Sequence, residues 1–99
     1  MDKVYGLLGL ATRAGKIAFG TEQVLEAITY NKAKLVVIAT DTSENSKKKI
    51  INTCDKNNVQ YVEYGTIEQN SKAIGKTNKA VIAIKDIGFA ESILKIIKK

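Results

Sequence analysis

The side chains with the clearest chemical use in this sequence follow Gly20, where a predicted strand turns directly into a predicted helix. The first turn of a helix carries free backbone N–H groups and a partial positive charge, which suit a phosphate. Gly20 has no side chain to block a sugar-phosphate backbone. Glu22 and Gln23 offer acceptors, and Gln23 also a donor pair, for the edges of bases. The segment is a candidate nucleic-acid contact; the alternative is an ordinary strand-to-helix turn.

A second polar segment, Gly75-Lys76-Thr77-Asn78-Lys79, precedes the last apolar run of the chain. It combines two cations with two short hydrogen-bonding side chains. If it lies beside Gly20 in the fold, the two segments form a bipartite site to which Arg13 and Lys16 add charge. Local sequence does not decide whether they meet.

A glycine-containing stretch, Gly9 to Ile17, superficially resembles a nucleotide-binding phosphate loop because it includes Gly15-Lys16. Five residues separate Gly9 from Gly15, whereas that loop needs four, and Ile17 replaces the hydroxyl that binds magnesium. The preceding residues also have helical spacing. We therefore interpret the stretch as a helix end and its following turn.

Residues that serve enzymes are sparse. The sequence has no histidine, and its one cysteine, Cys54, lies among apolar residues, so we expect it in the core. Asp41 and Asp86 follow the two most apolar runs, where paired carboxylates could hold magnesium or transfer protons. Loop and helix-cap roles are the favoured interpretation of both. We predict no catalytic residue, no metal and no cofactor.

The net charge of +6 favours a polyanionic partner. Each half of the chain carries eight basic and five acidic residues, so an anion must meet a folded surface and not a basic tail. Lys47, Lys48 and Lys49 fan across roughly 200° of a helix. That spread predicts a solvated helix face and not one phosphate site.

The start of the chain, Met1 to Ala14, has an apolar run that resembles a signal peptide. Asp2, Arg13 and the shortness of the run favour a helix instead. No run approaches the eighteen apolar residues of a membrane span. A lone cysteine suits a reducing compartment, and we expect a cytoplasmic protein.

Four short runs of β-branched and aromatic residues predict strands at 16–19, 35–39, 60–64 and 80–84. Apolar residues at helical spacing predict a helix before each strand and another after the last. We expect the first three helices to be capped by Asp2, by Thr21 and by Glu44 or Asn45. Gly15 and Gly75 are expected to end the first and fourth helices.

Alternating helices and strands predict one α/β domain spanning residues 1–99. The runs at 35–39 and 80–84 lack polar alternation, which is typical of strands covered on both faces. The expected architecture is therefore a three-layer α/β/α sandwich around a mixed sheet of about four strands.

Together these segments resemble the kink-turn-binding ribosomal protein family, in particular its bacterial YlxQ-like branch. The resemblance covers nearly the whole chain. It rests on Leu7–Ala11 with Arg13–Lys16, Gly20–Val24, Ala33–Ala39 with Asp41, and Ala73–Lys76 with Gly88–Ala90.

The resemblance implies that the turn into the second helix and the loop before the last strand contact RNA, reading sheared G·A pairs beside a sharp bend. Archaeal members usually have Asn, Glu and Lys where this chain has Glu22, Gln23 and Glu26, which implies altered specificity. With the charges noted above, the expected RNA-binding residues are Arg13, Lys16, Gly20, Thr21, Glu22, Gln23, Glu26, Lys76, Thr77, Asn78, Lys79 and Ala80.

We therefore expect a non-enzymatic protein that binds structured RNA, with ribosomal RNA and ribosomal proteins as candidate partners, and neither a membrane nor a small-molecule substrate. One alternative is an accessory protein of ribosome assembly that acts mainly through protein partners. Another is a fragment of an RNA ribose methyltransferase, whose substrate-binding domain can share the fold. The catalytic domain of such an enzyme does not fit within 99 residues.

Overall fold

The computed structural model describes residues 2–98, so Met1 and Lys99 of the expected 1–99 domain lie outside the described residues. The predicted order of elements is confirmed. Each strand is one or two residues shorter than expected, although Ala39 and Ala80 still share a backbone hydrogen bond of 2.9 Å. The elements are α1 (Lys3–Arg13), β1 (Ile17–Phe19), α2 (Thr21–Thr29), β2 (Leu35–Ile38), α3 (Glu44–Lys56), β3 (Tyr61–Glu63), α4 (Ile67–Ala73), β4 (Val81–Ile84) and α5 (Ile87–Ile97).

The four strands form one mixed sheet in the order β1-β4-β2-β3. β4 pairs antiparallel with both β1 and β2, whereas β3 runs parallel to β2. Every residue of the central strands β2 and β4 is buried. This confirms that the two most apolar runs are covered on both faces.

Two hydrophobic clusters lie on opposite faces of the sheet. Val36 and Ile38 pack with residues of α2 and α3, whereas Leu35 and Val37 pack with residues of α1, α4 and α5. Successive side chains of a strand point to opposite faces, so each central strand contributes to both clusters. The three-layer α/β/α sandwich is thereby confirmed.

Helix capping agrees with the sequence at Asp2, whose carboxylate accepts from the Val4 and Tyr5 amides at 2.8 and 3.2 Å. The expectation for α3 was wrong. Its cap is Ser43, whose hydroxyl oxygen accepts from the Ser46 amide at 3.4 Å. Glu44 instead occupies the first turn, where negative charge favours the helix dipole.

Cys54 is fully buried in the cluster beneath α2 and α3. Burial raises the pKa of its thiol to about 11. A thiol held neutral at physiological pH is a poor nucleophile. The core assignment of Cys54 is confirmed.

A polar contact joins the start of α1 to the end of β3. The Tyr64 hydroxyl donates to Asp2 Oδ2 at 2.5 Å. The pKa of Asp2 is lowered, chiefly by this hydrogen bond and then by the Tyr5 and Val4 amides. The bond to Asp2 likewise raises the pKa of Tyr64 to about 12.

We predict that Tyr64→Phe lowers the free energy of unfolding by about 1 kcal/mol at neutral pH, since one charge-assisted hydrogen bond is lost. Tyr30→Phe, at a tyrosine that is 68% exposed, is the matched control. Urea unfolding at a series of pH values measures both.

The difference between wild type and Tyr64→Phe has a defined pH window. The pKa of Asp2 is lowered from 3.8 in the fold. The stabilisation that its carboxylate contributes is therefore present above pH 3.8 and is lost as pH falls through the folded pKa. The pKa of Tyr64 is raised from 10.0. The stabilisation that its hydroxyl contributes is therefore fully present below pH 10.0 and is lost as pH approaches about 12. A difference that stayed constant across both windows would contradict the assignment.

Candidate nucleic-acid interface

The turn around Gly20 and the loop before β4 lie side by side. We call residues 20–23 the Gly20 turn and residues 75–80 the Lys76 loop. The Gly20 amide donates to the Val81 carbonyl at 3.0 Å. The ammonium groups of Lys76 and Lys79 lie 5.0 and 5.4 Å from the centre of the Phe19 ring. The structure therefore brings together the two segments that the sequence singled out.

The N-terminus of α2 has no side-chain cap. Gly20, and not the expected Thr21, is its N-cap residue, with φ 84° and ψ 156°. The other helices are capped by the side chains of Asp2, Ser43, Thr66 and Asp86. Backbone amides in the first turn of α2 are thus available to an external acceptor, and the helix dipole favours an anion there.

Gln23 is held in one orientation by the strand before it. Its Oε1 accepts from the Phe19 amide at 3.3 Å. One lone pair of this oxygen is thus engaged within the protein, while its second lone pair and the two N–H donors of the amide stay available to a base. Glu22 is exposed and supplies carboxylate acceptors beside it.

The Lys76 loop is anchored from beneath by buried hydroxyls. The Ser71 hydroxyl accepts from the Lys79 amide at 2.7 Å and lies 3.3 Å from the Lys79 carbonyl, to which it donates. The Thr42 hydroxyl donates to the Ala80 carbonyl at 3.3 Å. These bonds fix the end of the loop, whereas Lys76, Thr77 and Asn78 remain exposed.

A shallow hollow separates the two segments. It is lined by Phe19, the residues of the Gly20 turn and Lys79. Cations stand on one side, while amide donors and a carboxylate stand on the other. This combination suits a ligand that carries phosphates as well as hydrogen-bonding base edges.

Lys76, Thr77 and Asn78 line another hollow, against α4, and three of the expected residues lie outside both the Gly20 turn and the Lys76 loop. Lys16 is at the other end of β1, about 13 Å along the strand from Gly20, and its carbonyl accepts from the Lys85 amide. Glu26 lines a separate hollow on α2. Arg13 lies at the end of α1 beside Gly75, the first residue of the Lys76 loop.

The carboxylate pair considered from the sequence does not form. β2 and β4 are antiparallel, so Asp41 and Asp86, which follow them, lie at opposite ends of the sheet. Asp41 accepts from the Ile67 amide at 2.8 Å, and Asp86 caps α5 by accepting from the Phe89 amide at 3.0 Å. Within residues 2–98 no group of three or more His, Cys, Asp or Glu side chains could hold a metal ion.

Sequence reasoning missed the residues that support the site. Phe19 was assigned only to a strand, yet its half-buried ring underlies both lysines. Local sequence assigned no role to Ser71. A hydroxyl on an otherwise apolar helical stripe was the available signal, because a buried polar group requires a partner.

A comparison with protein-family models matches residues 2–94 to the ribosomal protein L7Ae/L30e/S12e/Gadd45 family. The chain belongs to this family. It is 34% identical over 93 residues to the "RNA-binding protein YlxQ" of Bacillus subtilis, covering 94% of this chain and 93% of that protein. The protein of the same name from Enterococcus faecium is 38% identical, covering 98% and 93%.

Two further similarities extend the comparison. The large ribosomal subunit protein eL8 of Thermoplasma volcanium is 31% identical, covering 97% of this chain and 80% of its own. A solved structure of a protein of unknown function from Bacillus halodurans superimposes with a TM-score of 0.96 at 32% identity, covering 100% of both chains. The described fold is therefore a fold of this family. Among the residues described, no helix is long and apolar enough to span a membrane.

We predict that Gly20→Ala destabilises the protein by about 1–3 kcal/mol, because its backbone conformation is essentially restricted to glycine. The added Cβ would meet no atom within 4 Å, so the cost is conformational and not steric. Chemical denaturation measures it.

Gly6→Ala is the matched control for Gly20→Ala. Gly6 lies inside α1, and its added Cβ also meets nothing within 4 Å. Alanine in a helix interior should raise stability by about 0.5–1 kcal/mol. Equal effects at the two glycines would contradict the conformational argument.

A second prediction concerns the anchor of the Lys76 loop. Ser71→Ala should cost about 1–3 kcal/mol, since the Lys79 amide loses its acceptor. Amide exchange should accelerate at Lys79 more than at Val81. Ser92→Ala, at an exposed serine of α5, should leave both measurements unchanged.

Proposed function

We propose that this protein binds structured RNA at a sharp bend, in the manner of a kink-turn reader, through the Gly20 turn and the Lys76 loop. The observation that carries the proposal is the uncapped N-terminus of α2 beside the two lysines stacked on Phe19. Membership of the family, and relatives whose names state RNA binding, support RNA as the ligand.

Different side chains and amides of this surface would contact the phosphates and the bases of the RNA. Lys76, Lys79 and the free amides of the first turn of α2 are suited to phosphate oxygens. The NH₂ group of Gln23 matches the O6 and N7 acceptors of guanine. The Glu22 carboxylate matches the N–H donors on the other edge of that base. An unstacked guanine at an RNA bend exposes these edges, whereas a regular RNA helix conceals them.

Glu26 modifies the expected strength of binding. It lies four residues after Glu22, so the two carboxylates repel each other along α2. It also places negative charge near an RNA backbone that follows the helix. We therefore infer weaker binding, with more of its specificity from Glu22 and Gln23, than in relatives that carry lysine at this position.

The cellular role follows from the kind of RNA. We infer that residues 1–99 act as one non-catalytic RNA-binding domain in the cytoplasm, with ribosomal RNA and its associated proteins as partners in translation. The similarity to a protein of the large ribosomal subunit supports this assignment. Sucrose-gradient sedimentation and RNA crosslinking in cells test it; exclusive recovery away from ribosomal particles and ribosomal RNA would contradict it.

The RNA proposal predicts that the protein binds a fluorescent kink-turn RNA more tightly than the same RNA with its G·A pairs replaced by Watson–Crick pairs. Lys76→Gln combined with Lys79→Gln should weaken binding to both RNAs and reduce the salt slope by about 2 units. Gln23→Ala should weaken only the kink-turn complex, by about tenfold, because it loses a base contact. Fluorescence anisotropy at several salt concentrations measures these affinities.

Lys48→Gln combined with Lys49→Gln removes the same charge from exposed positions of α3 and is the control. Equal wild-type affinity for the two RNAs would exclude recognition of the bend. If Gln23→Ala left RNA binding unchanged but abolished recovery of a protein partner, the accessory-protein alternative would be favoured.

A further inference from the structure

A cluster of lysines lies at the end of the sheet opposite the Lys76 loop. Ile17 of β1 pairs with Ile84 of β4. The next residues outward are Lys16 and Lys85, joined by a backbone hydrogen bond of 2.8 Å from the Lys85 amide to the Lys16 carbonyl. Strands that are so paired lie about 4.8 Å apart, so the two lysines start from adjacent positions.

The side chains of Lys16 and Lys85 belong on the α2 side of the sheet. Ala18 and Ala83 pack in the cluster beneath α2, and a strand returns to the same face every second residue. Lys85 lines a hollow between β1 and α2 together with Lys32, and Lys16 stands at the β1 edge beside that hollow without lining it. We call Lys16, Lys32 and Lys85 the lysine cluster.

The carboxylates nearest to the lysine cluster form no direct ion pair with it among the described residues. Within residues 2–98 the ion pairs of 4.0 Å or less both involve Lys47. Glu26 lines the same hollow but does not approach Lys32 or Lys85 to that distance, and the Asp86 carboxylate caps α5. Like charges at adjacent positions of neighbouring strands destabilise a fold. An external polyanion would relieve that repulsion.

The hollow that Lys32 and Lys85 line adjoins the proposed RNA site. Gln23 lines this hollow and also the hollow beside the Lys76 loop. Tyr30, 68% exposed, adds a phenol at the far end of α2. The cluster lies about 13 Å from Gly20 along β1, a separation that several successive backbone phosphates span.

From this juxtaposition we propose that the lysine cluster binds the phosphate backbone of a double-helical RNA arm that extends from the bend held at the Gly20 turn. The proposal rests on the proposed function, and it assigns Lys32, Lys85 and Tyr30 to contacts with the arm. Tyrosine hydroxyls and lysines commonly bind backbone oxygens without reading sequence. The arm is therefore recognised by its length and shape.

The test uses the full chain and a kink-turn RNA whose two arms have about ten base pairs each, a length that spans this contact. The variant combines Lys16→Gln, Lys32→Gln and Lys85→Gln. Its control combines Lys3→Gln, Lys95→Gln and Lys98→Gln, exposed positions of the layer on the opposite face of the sheet. Anisotropy titrations between about 50 and 200 mM salt give the affinities and their salt slopes.

The lysine-cluster variant should bind at least tenfold more weakly at about 100 mM salt, with a salt slope reduced by 2–3 units, whereas the control should bind as wild type does. Each arm is then shortened in turn to two base pairs. Shortening the arm that the cluster contacts should make the affinities of wild type and variant equal, which identifies that arm. Thermal unfolding at low salt should show the variant at least as stable as wild type, because repulsion is removed.

A lysine-cluster variant that binds the long-armed RNA like wild type would overturn the arm contact, while preference for the intact G·A pairs would leave the proposed function standing. If the variant lost as much affinity for an RNA with both arms shortened as for the long-armed RNA, the cluster would act only by general charge attraction. That result would also overturn the arm contact. Unchanged RNA affinity together with lost binding to phosphatidylserine vesicles would assign the cluster to a membrane surface instead.

Discussion

The antiparallel pairing of β1 with β4 is the constraint on which the rest of this molecule depends. β1 has only three residues, and it is held at the edge of the sheet by its register with β4. That register places Gly20 against Val81. The Gly20 turn and the Lys76 loop, from opposite halves of the chain, thereby form one surface. Without this pairing the two segments would not lie side by side.

The core makes this pairing rigid. β4 is buried on both faces, and its residues alternate between the two hydrophobic clusters. A slip of one residue would exchange those faces, so the register is strongly specified. Buried Ser71 and Thr42 extend the same rigidity to the Lys76 loop, because each must keep a hydrogen-bond partner. The candidate RNA-binding surface is thus positioned by buried residues that lie beneath it.

Positive charge is uniform along the sequence but not in space. The sheet separates Lys76 and Lys79 at one end from Lys16 and Lys85 at the other, with α2 running between them. Glu22 and Glu26 interrupt this arrangement with negative charge on the helix. An RNA that follows α2 would therefore meet cations at its two ends and base-directed groups beside the first. A net charge of +6 alone contains none of this information.

Local patterns in the sequence determined the order and type of the elements, the buried strands, the position of Cys54 and the two segments of the candidate site. Each depends on periodicity, on a glycine or on a run of apolar residues, which are properties of neighbours along the chain. The cap of α3 was predicted wrongly because Ser43 and Asn45, two residues apart, are both suitable N-cap residue types.

Only the tertiary structure decided what lies beside what. The antiparallel direction of β2 and β4 separated Asp41 from Asp86. The return of α2 over β1 let Gln23 accept a hydrogen bond from the Phe19 amide. Pairing of strands from distant parts of a chain depends on how all the elements pack together, and no local periodicity encodes it.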